Sequence, residues 1–256
     1  MEELILKYIY ETCSNVEEGV EFGAPLDLTR PNINVARTKA TSFQRETLLH
    51  LFIQQAFILS SDHLFYNMTE AVSEGSLQLD FYEDQFYSYN IDIDFLRIKF
   101  DESDNTLTTK KQVLTWYKKN REKFNLLAQK ICPEVFHILF SNKTLLHKFN
   151  ENIALDFTNF NFSVNELNSK GKLRRKSIPV WVKRAVFHRD KGVCSFCTID
   201  LTYVFNIFPT ENYDHIVPLD LYGVNDPTNI QLLCKKCNLD KLNRTSQVGK
   251  KYQLWF

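Results

Sequence analysis

Residues 213–218 read "YDHIVP", and residues 234–238 read "CKKCN". An Asp–His pair and an Asn therefore stand around cysteines, and a third stretch, "CSFC" at 194–197, completes the pattern. The chain holds two C-x-x-C pairs, Cys194/Cys197 and Cys234/Cys237, with 36 residues between them. Two-residue spacing lets both sulfurs of a turn face one ion, and two such turns close a tetrahedral zinc site with zinc–sulfur bonds of ~2.3 Å. One pair alone is equally a redox motif, but two pairs around one short module favour zinc. Four thiolates leave no open coordination position, so this ion staples a fold and performs no chemistry.

The polar residues inside the frame are of a different kind. Phosphodiester hydrolysis needs an activated water and neutralisation of charge on the phosphate and the leaving oxygen. A neutral imidazole such as that of His215 accepts a proton from water at cellular pH. A hard divalent cation takes oxygen ligands, which the Asp214 carboxylate and the Asn238 amide supply. Adjacent strand residues point to opposite faces, so the joint use of Asp214 and His215 requires a bend between them. Asn238 arrives at the start of a closing helix.

The order helix–"VFHRDKGVCSFC"–"DHIVP"–"PTNIQLLC"–"KKCNLDK" over residues 178–245 resembles the HNH endonuclease family with its ββα-metal fold. The resemblance implies that His215 is the general base, that Asp214 is the acidic metal ligand, and that Asn229 orients the loop carrying the base. Asn238 takes the last metal-ligand position, often His in the family. Lys241 is a weaker match, as a phosphate contact. Tyr222–Gly223 replaces the two glycines the family often has, and 198–213 is somewhat long. The implied cofactors are a structural Zn²⁺ on Cys194, Cys197, Cys234 and Cys237, and a catalytic Mg²⁺ or Mn²⁺. The implied substrate is DNA, although the residues do not separate DNA from RNA. A binding module of the same zinc-stapled form without activity is the alternative reading.

Composition fits two units. The 256 residues are 44% hydrophobic and 14% aromatic, with only 7 Gly and 7 Pro, which suits a helix-rich globular chain. Net charge is zero, yet residues 1–168 hold 16 Lys/Arg against 24 Asp/Glu, and 169–256 hold 15 against 7. The basic part is drawn to a polyanion. Lys172, Arg174, Arg175, Lys176, Lys183, Arg184 and Arg189, with Lys170 beside them, are the expected phosphate grips. Such contacts carry little sequence information.

The expected class is α+β. A mainly helical acidic domain (1–168) precedes a basic linker (169–177), the zinc-stapled HNH domain (178–247) and a tail (248–256). Helices are expected at 1–13, from Thr41 onward with Thr41 or Ser42 as cap, at 109–130, from Cys132–Pro133, and from Asn142 to Asn150. Residues 14–37 read as loop, and "YNIDIDFLRIKF" (89–100) alternates like a strand. Cys13 and Cys132 read as core thiols; His50, His63, His137, His147 and His188 read as packing or surface groups. The acidic "MEELILKYIYETC" start lacks the basic and apolar parts of a signal peptide, no apolar run is long enough to span a membrane, and cysteines spent on metal indicate a reducing, cytoplasmic compartment. The acidic domain is expected to sense or dock a protein partner. An HNH domain joined to an unfamiliar helical one is similar to bacterial anti-phage effectors and restriction-type nucleases.

Overall fold

Ile9, Cys13, Val16 and Val20 recur at helical spacing and are all buried, so the N-terminal helix continues past residue 13 and occupies Glu2–Glu21 (α1). The computed structural model describes residues 2–21, 33–67, 79, 82–96, 106–202, 211–242 and 245–249. Its other helices are α2 (Ile33–Thr41), α3 (Leu48–Asn67), α4 (Thr106–Lys119), α5 (Arg121–Ser141), α6 (Lys143–Leu155), α7 (Val180–Arg189) and α8 (Lys235–Lys241). Two antiparallel strands, β1 (Glu211–His215) and β2 (Ile230–Cys234), form a two-stranded sheet. The fold is mainly helical, with a small sheet and a closing helix near the C-terminus.

Packing divides the chain into Met1–Val16 with Ile53–Val135, and Glu17–Phe52 with Phe136–Phe256. The first unit uses aromatic side chains as its core. Phe65 stacks on Tyr117 at 4.2 Å, and Phe124 stands edge-on to Phe65, Phe86 and Tyr117 at 5.5, 5.0 and 4.8 Å. Edge-to-face rings add stabilisation beyond area alone. Tyr117 Oη donates to Asp62 Oδ1 and Arg121 to Asp62 Oδ2, both at 2.7 Å. Residues 82–88 are helical and 91–96 lack regular structure, so the expected strand is not found over its described residues; 97–100 lie outside them. The reason is visible in Ile91 and Phe95, which are both buried, while Asp94 O accepts from Trp116 Nε1 at 2.8 Å in place of a ladder partner.

The second unit contains the cysteine frame. Its apolar centre joins Val182 and Val186 of α7 to Cys194, Leu201, Ile230, Leu232 and Leu233. Several local expectations do not hold. The helix expected from Thr41 starts at Leu48, because its first amide is capped by Asp226 Oδ2 at 2.9 Å, 178 residues away, and not by Thr41 or Ser42. The helices expected to meet at Pro133 are one, α5, with Pro133 inside it. The break lies instead at Asn120, whose side chain returns to Trp116 O at 2.9 Å.

The stretch expected as a linker, 169–177, is folded. Leu167 and Leu173 form a bridge, Asn168 Oδ1 accepts from the amides of Lys170 and Lys172 at 2.9 and 3.1 Å, and Gly171 turns the chain at φ +70°. That left-handed conformation is one glycine adopts without penalty. Leu173 is buried. Among the described residues no helix is long and apolar enough to cross a membrane.

Candidate functional site

The first cysteine turn grows out of the end of α7. Lys191, at φ +55°, donates its N to His188 O at 3.1 Å, and Gly192, at φ +64°, donates its N to Phe187 O at 2.9 Å, the paired bonds that close a helix end. A side chain there collides with Thr202 Cγ2. Cys194 N then donates to Ile199 O at 3.0 Å, and Thr198 N to Cys194 O at 2.9 Å. The second turn opens α8, where Cys237 N donates to Cys234 Sγ at 3.4 Å. All four sulfurs lie within 4.8 Å of one another, and Cys197 Sγ to Cys234 Sγ is 3.7 Å. A tetrahedron with ~2.3 Å zinc–sulfur bonds has edges of about 3.8 Å, so the donor set fits zinc. Burial and the neighbouring thiols push the Cys237 thiol upward; a central cation reverses that preference by binding thiolates.

Asp190 ties the frame together, and no motif signalled it. Its buried carboxylate accepts from Arg189 Nε at 2.9 Å, Arg189 NH2 at 3.0 Å, Ser195 Oγ at 3.2 Å and Leu232 N at 2.9 Å. Lys143 Nζ stands 3.7 Å away. Burial opposes its charge, but Arg189, Lys143 and the Leu232 amide hold the carboxyl below its ordinary range.

Asn229 is fully buried and reaches back along the chain. Its Oδ1 accepts from Val217 N at 2.8 Å, and its Nδ2 donates to Val217 O and Val224 O at 3.0 Å each. Its own carbonyl accepts from Ile216 N at 2.7 Å. The loop leaving β1 is thereby pinned immediately after His215. The bend expected between Asp214 and His215 comes later, at 216–217. Asp214 pairs with Gln231 and His215 with Ile230 in regular register, so their side chains leave opposite faces of β1.

On one face, Lys241 Nζ donates to Asp214 Oδ2 and to His215 O, both at 2.7 Å. The Lys241 side chain is 0% exposed and that of Asp214 14%. Asn238 is half-buried one turn earlier on α8, and its i, i+3 relation to Lys241 puts both on one helix face. On the other face His215 is completely buried, and neither ring nitrogen makes a hydrogen bond of good geometry. Burial, with Arg175 nearby, pushes its pKa down to about 4. The Asp214 charge and a loose hydrogen bond with the Asn225 side chain act the other way. Asn225 carries no motif signal either. It is fully buried; its Nδ2 donates to Arg174 O at 2.9 Å, and its amide N to Ala40 O at 2.9 Å.

The expected phosphate grips separate into two groups. Arg174, Arg175, Lys176, Lys183 and Arg184 are exposed, with Lys183 also over the Tyr213 ring at 5.7 Å. Lys172 is half-buried, bonded to Asp220 O and over the Tyr222 ring at 5.3 Å. Arg189 and Lys241 do not face solvent. The Arg189 side chain is 2% exposed, donates to Ile230 O at 2.6 Å and covers the Phe140 ring. Lys241 is committed to β1. Both are internal braces, because buried acids and carbonyls claim their charge.

Residues 194–244 match the family model described as HNH endonuclease. This covers the four cysteines, Asp214, His215, Asn229 and Asn238, and ties the C-terminal part of the chain to nuclease-type, nucleic-acid chemistry. Neither the curated proteins nor the solved structures yield a match.

Proposed function

We propose that the chain is a metal-dependent HNH endonuclease that hydrolyses DNA phosphodiester bonds. The observation that carries this reading is the Asn229 clamp on the loop after His215, set inside a four-cysteine frame that matches the family. His215 is the general base: its imidazole takes a proton from water as the water oxygen bonds to phosphorus. The bond from phosphorus to the sugar oxygen then breaks, and the leaving oxygen takes a proton from solvent. Asp214 and Asn238 are the oxygen donors for Mg²⁺ or Mn²⁺, which when bound neutralises charge on the phosphate. Asn229 acts through the loop. Arg174, Arg175, Lys176, Lys183 and Arg184 contact the phosphate backbone, which favours weak sequence preference. The four thiolates suit a reducing cytoplasm. Residues 1–168 supply a docking or sensing function toward a protein partner, in keeping with an anti-phage or restriction-type effector.

Three observations favour the second reading, a zinc-stapled binder without activity: Asp214 and His215 leave opposite faces of β1, His215 is sealed, and the Asp214 carboxylate is already held by an ammonium. Plasmid incubated with Mg²⁺ or Mn²⁺ decides between them. The expected result is nicking or linearisation, reduced about 10²–10⁴-fold in His215→Ala, the range for loss of a general base. Equal cleavage by both proteins removes His215 from the mechanism. Retained DNA binding with no cleavage by either establishes the binder.

A further inference from the structure

We propose that residues 166–176 are a strap closed over His215, and that it must lift before the imidazole can meet water and phosphate. This rests on the nuclease reading for its meaning and on geometry for its support. A buried imidazole carries one N–H donor and one acceptor in its neutral form, and buried polar groups are normally bonded. Here neither ring nitrogen makes a well-formed bond, and the Asn225 side chain loosely paired with the ring is itself spent on the strap, at Arg174 O and the Lys176 amide. A fully buried imidazole so poorly satisfied marks a resting arrangement.

The strap is what Asn225 ties down beside that ring. Its outward arm turns at Asn168–Gly171, and its return arm runs through Arg174, whose N donates to Glu166 O at 2.9 Å. Asn225 holds the return arm at Arg174 O, and at the Lys176 amide, which donates to Asn225 Oδ1 at 3.4 Å. Lys172 adds a second tether to Asp220 O and the Tyr222 ring. A cavity of about 170 Å³ lined by Asn168, Leu173, Arg175, Leu219 and Asp220 leaves the seam loosely filled. Leu173 is buried, whereas the side chains of Arg174, Arg175 and Lys176 are exposed. The return arm is therefore held by a few polar tethers and one leucine, the profile of a segment that opens at low cost.

The test is diethyl pyrocarbonate labelling of the full-length, zinc-loaded protein, read residue by residue by peptide mass spectrometry. Exposed His188 is the internal reference, and half-buried His50 reports general unfolding. His215 should label at least about 100-fold more slowly than His188 in the unaltered protein, the ratio expected for a ring that reacts only from a minor open state. Gly171→Ala strains a φ +70° turn with open space around it, and Lys172→Ala removes a tether. Each should accelerate His215 labelling roughly fivefold, the effect of about 1 kcal/mol on a closed–open equilibrium, with His50 and His188 unchanged. Labelling of His215 at the His188 rate in the unaltered protein, an unmoved rate in both variants, or a rise shared by His50 overturns the strap. Plasmid cleavage separates the two proposals. A labelling change without cleavage by any variant sinks the nuclease and keeps the strap; faster cleavage by Gly171→Ala supports both.

Discussion

Asp190 illustrates how a single buried charge organises this unit. Four donors from α7, the first cysteine turn and β2 converge on it. Asp190→Ala leaves the Arg189 guanidinium buried without its carboxylate and Leu232 N without an acceptor. A loss of about 3–5 kcal/mol in urea unfolding of the zinc-loaded protein is expected. His50 gives the pH dependence. Its ring stacks on Phe136 at 3.8 Å, and its Nδ1 accepts from Thr47 N at 3.1 Å. Burial first, then Lys39, push its pKa from 6.5 down to about 4. The unfolded chain thus binds the proton more readily, so this stabilisation is full above about pH 6.5 and is lost as pH falls through about 4. The upper bound is about 3 kcal/mol, trimmed by water at the half-buried ring; urea midpoints near neutral and mildly acidic pH should differ, and less so in His50→Gln. The four-cysteine frame is legible in the sequence because metal ligands occupy fixed spacings. Arg189 and Lys241 are not, because a basic residue's sequence neighbours do not show which buried acid lies across the fold.

At the scale of elements, local pattern succeeds where a helix caps itself and fails where it borrows its cap. Gly192 ends α7 as read. The start of α3 lies beyond the Thr41–Ser42 caps that local pattern favours, because its cap is Asp226, whose carboxylate also accepts from Thr228 N at 2.8 Å and Thr228 Oγ1 at 2.6 Å. Asp226→Ala should cost about 1–2 kcal/mol, as for a lost N-cap, and more if the Thr228 turn loosens. Asp226→Asn, which keeps an acceptor, should recover most of it in the same thermal melts. Zinc is an element-scale brace as well. Removing it with a thiol-competitive chelator should abolish the near-ultraviolet signal of Trp181, which packs against the apolar centre shared by both cysteine turns, and restoring Zn²⁺ should return it.

At the scale of the whole molecule, the boundary expected at 168 tracks charge, whereas packing assigns Glu17–Phe52 and residues 136–168 to the unit that carries the cysteines. The polarity survives this reassignment. The first unit holds 10 Lys/Arg against 16 Asp/Glu, and the second 21 against 15. Composition reveals which stretches attract polyanions; it does not reveal which stretches share a core, because sequence-distant contacts such as Asn150 Nδ2 to Thr228 Oγ1 at 3.4 Å and His147 Nε2 to Ser246 Oγ at 2.8 Å leave no local trace. A fragment of residues 178–256 should therefore take up zinc yet melt well below the intact chain, by about 10 °C if about 2–3 kcal/mol of these contacts are lost. The borrowed cap on α3 carries this further. Asp226 and Leu48 depend on each other across the primary structure: transplanting the cassette into another host deprives a sunken carboxylate of one donor and leaves the helix start bare. The module that carries the cysteines is thus a graft grown into its stock, cut free only at a cost to both sides of the seam.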